Sequence, residues 1–168
     1  FDDKATIKLN ADSILSSNAA FTVKTIEMGT HFLLLGSNTT DLTITDNITI
    51  NYPGRNGLNS GTADLTLNSP VKVLMGGIFS SGGTVTFGAG ANGTSFALEN
   101  AGMRLEDTNL NLQTDLNVSG IHLSGTSLLQ TNGKKLNIVR SMELGVQNEF
   151  DFTNVTTDNE TYLGLVGD

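Results

Sequence analysis

The sequence predicts an all-β chain and, within that class, a parallel β-solenoid (β-helix) of about six turns. Three observations predict it. First, one motif keeps returning: apolar-x-apolar, a short polar corner, apolar-x-apolar. It reads Leu42-Thr43-Ile44 with Ile48-Thr49-Ile50, then Leu65-Thr66-Leu67 with Val71-Lys72-Val73. It returns as Leu110-Asn111-Leu112 with Leu116-Asn117-Val118, and as Leu136-Asn137-Ile138 with Met142-Glu143-Leu144. In all four copies the second triplet starts six positions after the first. Second, the repeats start near positions 21, 42, 65, 85, 110 and 136, in steps of 20 to 26 residues, the self-similarity of stacked repeats. Third, Gly, Asn, Thr and Ser are abundant, which is strand-and-turn chemistry.

Strict alternation marks strands with one buried face. Strands this short, broken by polar corners, suit a coil in which each turn carries two or three strands stacked in parallel on the turn below. Six turns at about 4.8 Å make a rod roughly 30 Å tall. The alternative is an antiparallel β-sandwich or jelly roll, which also uses many short strands. The constant six-residue offset favours the coil.

By size the 168 residues form a single β domain with three parts. Residues 1–20 are read as an N-terminal cap, with a short helix over 11–20, Asn10 or Asp12 as its N-cap, and Ile14 and Leu15 covering the first turn. A solenoid needs such a cap because a terminal strand has an open edge. Residues 21–160 are the stacked turns. Phe21-Thr22-Val23 with Ile26-Glu27-Met28 is a shortened copy. Val85-Thr86-Phe87 lacks a partner triplet at 91–93, and Phe96-Ala97-Leu98 and Met103-Arg104-Leu105 take its place. Asp46-Asn47, Ser69-Pro70 and Thr114-Asp115 are the corners, and 52–63 and 88–93 are loops leaving the coil. Residues 161–168 are a C-terminal edge segment, uncharged from Tyr162 to Val166.

This register turns Leu42, Ile44, Ile48, Ile50, Leu65, Leu67, Leu110, Leu112, Leu116, Val118, Leu136 and Ile138 inward. It turns Thr22, Thr43, Thr66, Thr86, Asn111 and Asn137 outward as one ladder, a solvated face on which Thr packs and Asn hydrogen-bonds rung to rung. The same ladder would make a flat binding face for a glycan, a neighbouring subunit or ice. The next rank, Lys24, Thr45, Asn68, Gly88, Gln113 and Val139, lacks the second row of threonines that an ice-binding face uses.

Composition excludes several classes. The net charge of −8 opposes nucleic acid and anionic membranes, which call for basic surfaces. The absence of cysteine removes disulfides and thiolate metal sites. The longest apolar run, Phe32 to Leu35, is too short to span a bilayer. Phe1-Asp2-Asp3-Lys4 lacks the basic start and apolar run of a signal peptide, as a processed mature chain or an excised fragment would. No P-loop, dinucleotide or nucleophile-elbow pattern occurs, and no cofactor or metal is expected. His31 and His122 have no further ligand at metal spacing. The adjacent carboxylates Glu106-Asp107 are the one pair with the look of an acid and base, but neighbours on a strand point to opposite faces and the pair reads as a corner. Sequons at Asn38, Asn47, Asn92, Asn117, Asn154 and Asn159 reflect an Asn/Thr-rich composition.

The phrase Asp115-Leu116-Asn117-Val118-Ser119-Gly120, followed by Leu123-Ser124-Gly125-Thr126, resembles the strings of phage tail fibres and bacterial β-solenoid adhesins. The resemblance covers roughly residues 42–145. It implies a non-enzymatic extracellular, cell-surface or virion-surface structural protein: a self-associating fibre or filament subunit, or an adhesin module. It carries no functional residue with it. The expected partner is a second copy of the chain, through Tyr162, Leu163, Leu165 and Val166, with a surface glycan as a further possibility. A polysaccharide-binding or polysaccharide-depolymerising β-helix is the alternative.

Overall fold

The structure, a computed structural model, describes residues 4–36, 41–145 and 153–157, and the backbone of 162–166. The first turn is β1 (Thr6–Lys8), β2 (Ser13–Leu15) and β3 (Phe21–Val23), one strand on each of three faces. The second repeats this order as β4 (Thr25–Glu27), β5 (Leu33–Leu35) and β6 (Asp41–Ile44), and the third as β7 (Ile48–Asn51), β8 (Leu58–Asn59) and β9 (Asp64–Leu67). In the fourth, β10 (Val71–Ser80) crosses the first two faces unbroken and β11 (Thr84–Phe87) takes the third. The fifth carries β12 (Ser95–Phe96), β13 (Ala101–Glu106) and β14 (Asn109–Leu112). β15 (Leu116–Ser124) again crosses two faces and is followed by β16 (Leu128–Gln130). β17 (Leu136–Gly145) does the same, and β18 (Val155–Thr157) and β19 (Tyr162–Val166) stack on its two halves.

Every strand pair among the described residues is parallel. The fold is a β-solenoid of about seven turns, and the antiparallel sandwich is not favoured. The additional turn comes from the N-terminal segment. Ser13–Leu15 is a strand, not part of a capping helix, and pairs with Leu33–Leu35. Alternation explains the choice: Leu15 packs against the core while Ile14 faces out at 66% exposure. Asp12 caps a rung instead of a helix, its Oδ1 accepting the Phe32 N–H at 3.0 Å. The stretch 52–63 is likewise not wholly a loop, since it contains β8.

The core is a set of apolar rows, mostly aliphatic. On the third face Phe21, Leu42, Leu65, Val85, Leu110 and Leu129 lie one above another. The twelve residues read as inward are all buried. Leu42 pairs with Leu65 as the repeat implies, but Leu110 pairs with Leu129, and Leu136 pairs with Leu116. The fourth sequence copy therefore lies on the first face, not the third. The third-face strand of the sixth turn is β16, and the buried Thr131 just after it stands where the other turns place an apolar side chain, so the apolar-x-apolar signal is lost.

Two corners are built by different chemistry. Between the first and second faces the long strands bend over a column of small residues: Gly77 stacks on Gly102, and Gly120 on Ser141. A Cβ at Gly77 would strike the Gly102 carbonyl oxygen, a backbone atom with no freedom to move aside, and Gly76 has a φ of 78° that favours glycine. Between the second and third faces, buried hydroxyls satisfy the turning backbone. Ser80 Oγ donates to the Gly82 carbonyl (2.7 Å), Thr108 Oγ1 to the Glu106 carbonyl (2.7 Å), and Ser127 Oγ to the Ser124 carbonyl (2.6 Å). Unpaired, such groups would each cost on the order of 1–3 kcal/mol.

Ile44→Asp or Leu112→Asp buries an unpaired charge at a site with no solvent exposure and is expected to abolish cooperative thermal unfolding. Gly77→Val is expected to cost about 2 kcal/mol or more, read from denaturant midpoints. Wild-type stability in either aspartate variant would contradict the strand register.

Candidate functional site

The third face carries the outward ladder. Thr22, Thr43, Thr66, Thr86 and Asn111 occupy equivalent positions on successive strands, and the next rung is Gln130. The five are half-buried: Thr43, Thr66, Thr86 and Asn111 are flanked by rungs above and below, and Thr22, on the end strand, by the rung of Thr43 alone. The amide of Asn111 donates to Thr86 Oγ1 at 3.4 Å and receives Asn132 Nδ2 at 2.6 Å. Asn137 does not belong to this column. It stacks on the first face between Asn117 and Thr156, and accepts the Thr156 hydroxyl at 3.0 Å. The displacement follows from the register: the triplet containing Asn137 is paired with Leu116–Val118.

The residues read as an assembly segment form β19. Tyr162 pairs with Ser141, Leu163 with Met142, Leu165 with Leu144 and Val166 with Gly145. Their backbone is the last described rung of the chain's own second face; their side chains lie outside the described residues, as do positions 161, 167 and 168.

Many carboxylates have a structural use that charge counting does not show. Asp12, Asp64, Asp107 and Asp115 each accept, through Oδ1, a backbone N–H one turn further on: Phe32 (3.0 Å), Thr84 (2.6 Å), Thr126 (2.8 Å) and Lys135 (2.9 Å). At these corners the next strand has not yet joined its ladder, so the carboxylate supplies the missing acceptor. Glu106 and Asp107 are divided by a corner, Glu106 ending β13 and Asp107 lying just past it. Glu106 pairs with Arg104, while Asp107 sits at a corner with a φ of 47°.

The second face carries a different column. The triplets Met103-Arg104-Leu105, Ile121-His122-Leu123 and Met142-Glu143-Leu144 are in register, which lines up Arg104, His122 and Glu143 on three successive rungs. His122 Nδ1 lies 2.9 Å from Glu143 Oε2, and an ionised carboxylate only accepts, so Nδ1 carries the proton of this hydrogen bond. Arg104 places Nε and Nη2 at 2.7 and 2.6 Å from Glu106 Oε1. Beside this column the small residues of the corner leave an open cleft of about 810 Å³. Its floor includes Gly76, Gly102 and Gly120, and its walls include Arg55 and Arg140 as well as the column itself. Arg140 reaches along the stack, Nη1 donating to the Leu98 carbonyl at 2.7 Å.

The cleft was not apparent in the sequence, where Arg55, Arg104, His122, Arg140 and Glu143 are far apart. The available signal was the three aligned triplets, whose central residues are charged or titratable where the third face has Thr and Asn. Among the described residues no group of three or more His, Asp or Glu side chains converges as a metal site. No helix among them is long and apolar enough to cross a membrane. Comparison with protein-family models, curated proteins and solved structures gives no match.

Asp64→Ala and Asp115→Ala each remove a corner acceptor from an exposed backbone N–H. Each is expected to lower stability by about 1 kcal/mol. Amide hydrogen exchange locates the effect, with faster exchange at Thr84 and Lys135 respectively. Unchanged exchange at both amides would contradict the capping role.

Proposed function

We propose that the chain is a non-enzymatic structural module of an extracellular, cell or virion surface: a rod whose copies stack end to end into a fibre or filament. The observation that carries this reading is the likeness of the two ends of the described stack. Among the described residues β1 and β2 at one end, and β18 and β19 at the other, are paired on one side only, on the same two faces. A strand so placed offers a row of N–H and C=O groups for further pairing. In a parallel stack the lower end of one copy matches the upper end of the next. Such a head-to-tail contact propagates instead of closing. The small share of charged residues, 15%, and the Thr, Asn and Gln of the third-face column fit a surface that packs along a neighbour.

Sedimentation and electron microscopy of the full chain test this. Filaments or long oligomers are expected, growing with concentration. Leu9 N–H and the Ala5 carbonyl both face β4, so alternation turns the Lys8 N–H to the open side. Lys8→Pro removes that donor without breaking the internal ladder and is expected to shorten the assemblies while leaving the circular dichroism spectrum unchanged. A wild-type chain that stays monomeric at high concentration would overturn the reading.

A further inference from the structure

We propose that the cleft on the second face binds an acidic saccharide, with a sugar carboxylate held by Arg55 and Arg140 beside Arg104. The first support is the placement of positive charge. The chain is strongly acidic, with a net charge of −8, yet every one of its arginines lines this cleft and none of its lysines does. Guanidinium groups match a carboxylate through paired N–H donors, which an ammonium does not.

The second support is what those arginines are doing. Arg104 is held by Glu106. Arg140 donates to a neutral carbonyl, that of Leu98, and no carboxylate among the described residues pairs with it. Arg55 is exposed and has no hydrogen bond or ion pair among the described residues. The carboxylate lining the cleft, Glu143, is engaged by His122. The cleft lining therefore holds more positive than negative charge on an acidic chain.

The third support concerns the rest of the ligand. Sugars combine apolar C–H surfaces with many hydroxyls. Met75 and Leu98, at 36% and 59% exposure, are large apolar side chains left open at the rim. Asn56, Asn100, Ser141 and the bare glycine backbone provide hydrogen-bonding groups between them. A volume of about 810 Å³ falls within the range of roughly 300–1,000 Å³ typical of ligand sites. A nucleic acid fits poorly, because its dense phosphates would extend beyond the cleft over a surface with no further basic stripe. The cleft lies within one chain, so this inference stands apart from self-association.

Titration calorimetry of the full chain tests it with a panel of probes: galacturonate and glucuronate oligosaccharides, sialyllactose, neutral galactose oligosaccharides and a heparin-derived sulfated oligosaccharide. At least one carboxylated probe is expected to bind, more weakly as salt rises, while the neutral oligosaccharides do not. Arg55→Gln and Arg140→Gln are each expected to weaken that binding tenfold or more. Lys72→Gln, on the first face, is expected to leave it unchanged. Circular dichroism of each variant verifies that it is folded. Binding of the neutral probes alone, binding of the sulfated probe alone, no binding by any carboxylated probe, or binding indifferent to Arg55→Gln in the folded variant would each overturn the proposal.

Discussion

The rest of the structure depends on the closure of each turn. A parallel ladder forms only if the chain, after passing three faces, returns one strand spacing of about 4.8 Å above its starting point with N–H and C=O groups in phase. In-register stacking then follows, and like residues meet like: apolar rows inside, the Thr22-to-Thr86 column outside. Turn length can vary, because changes are absorbed at the corners while the strands stay aligned. The corners therefore carry the specific chemistry, and the strands carry the bulk of apolar burial.

Each corner meets the same difficulty by a different device. A bending backbone leaves donors and acceptors without a ladder partner, and buried ones are costly. Aspartates such as Asp64 and Asp115 take up exposed N–H groups one turn away. Buried Ser and Thr hydroxyls take up carbonyls between the second and third faces. Glycine removes the side chain where Gly77 and Gly102 pass too closely for a Cβ. Much of the acidic, hydroxyl-rich and glycine-rich composition is thus a consequence of closure. No buried side-chain nitrogen or oxygen among the described residues is left without a hydrogen bond. The cleft is a by-product of the same solution, since the corner made of small residues leaves space that long side chains from neighbouring rungs surround.

The strands were legible in the sequence because alternation has a period of two and the third-face rows are strongly apolar. The misreadings have physical causes. Thr131 is buried at a position the other turns fill with an apolar residue, so the sixth third-face strand was hidden and Asn137 was placed on the wrong face. Ser13-Ile14-Leu15 resembles the start of a helix locally, yet the open edge of β5 decides its conformation. The cleft could not be read from any local pattern. Arg55 reaches it from a loop, Arg140 from a strand bend, and Arg104 from the middle of a strand, and only the coil brings these together.

The register of the sixth turn is the most direct measure of this account. The chain has no cysteine of its own, so an introduced pair reports on a single proximity. Neighbouring rungs place Cα atoms about 4.8 Å apart, within the range a disulfide spans. Asn111→Cys combined with Gln130→Cys is expected to cross-link on oxidation, as is Asn111→Cys with Thr86→Cys. Asn111→Cys with Asn137→Cys is expected to stay reduced, because those positions lie on different faces. A disulfide between positions 111 and 137, with none between 111 and 130, would contradict the stack described here.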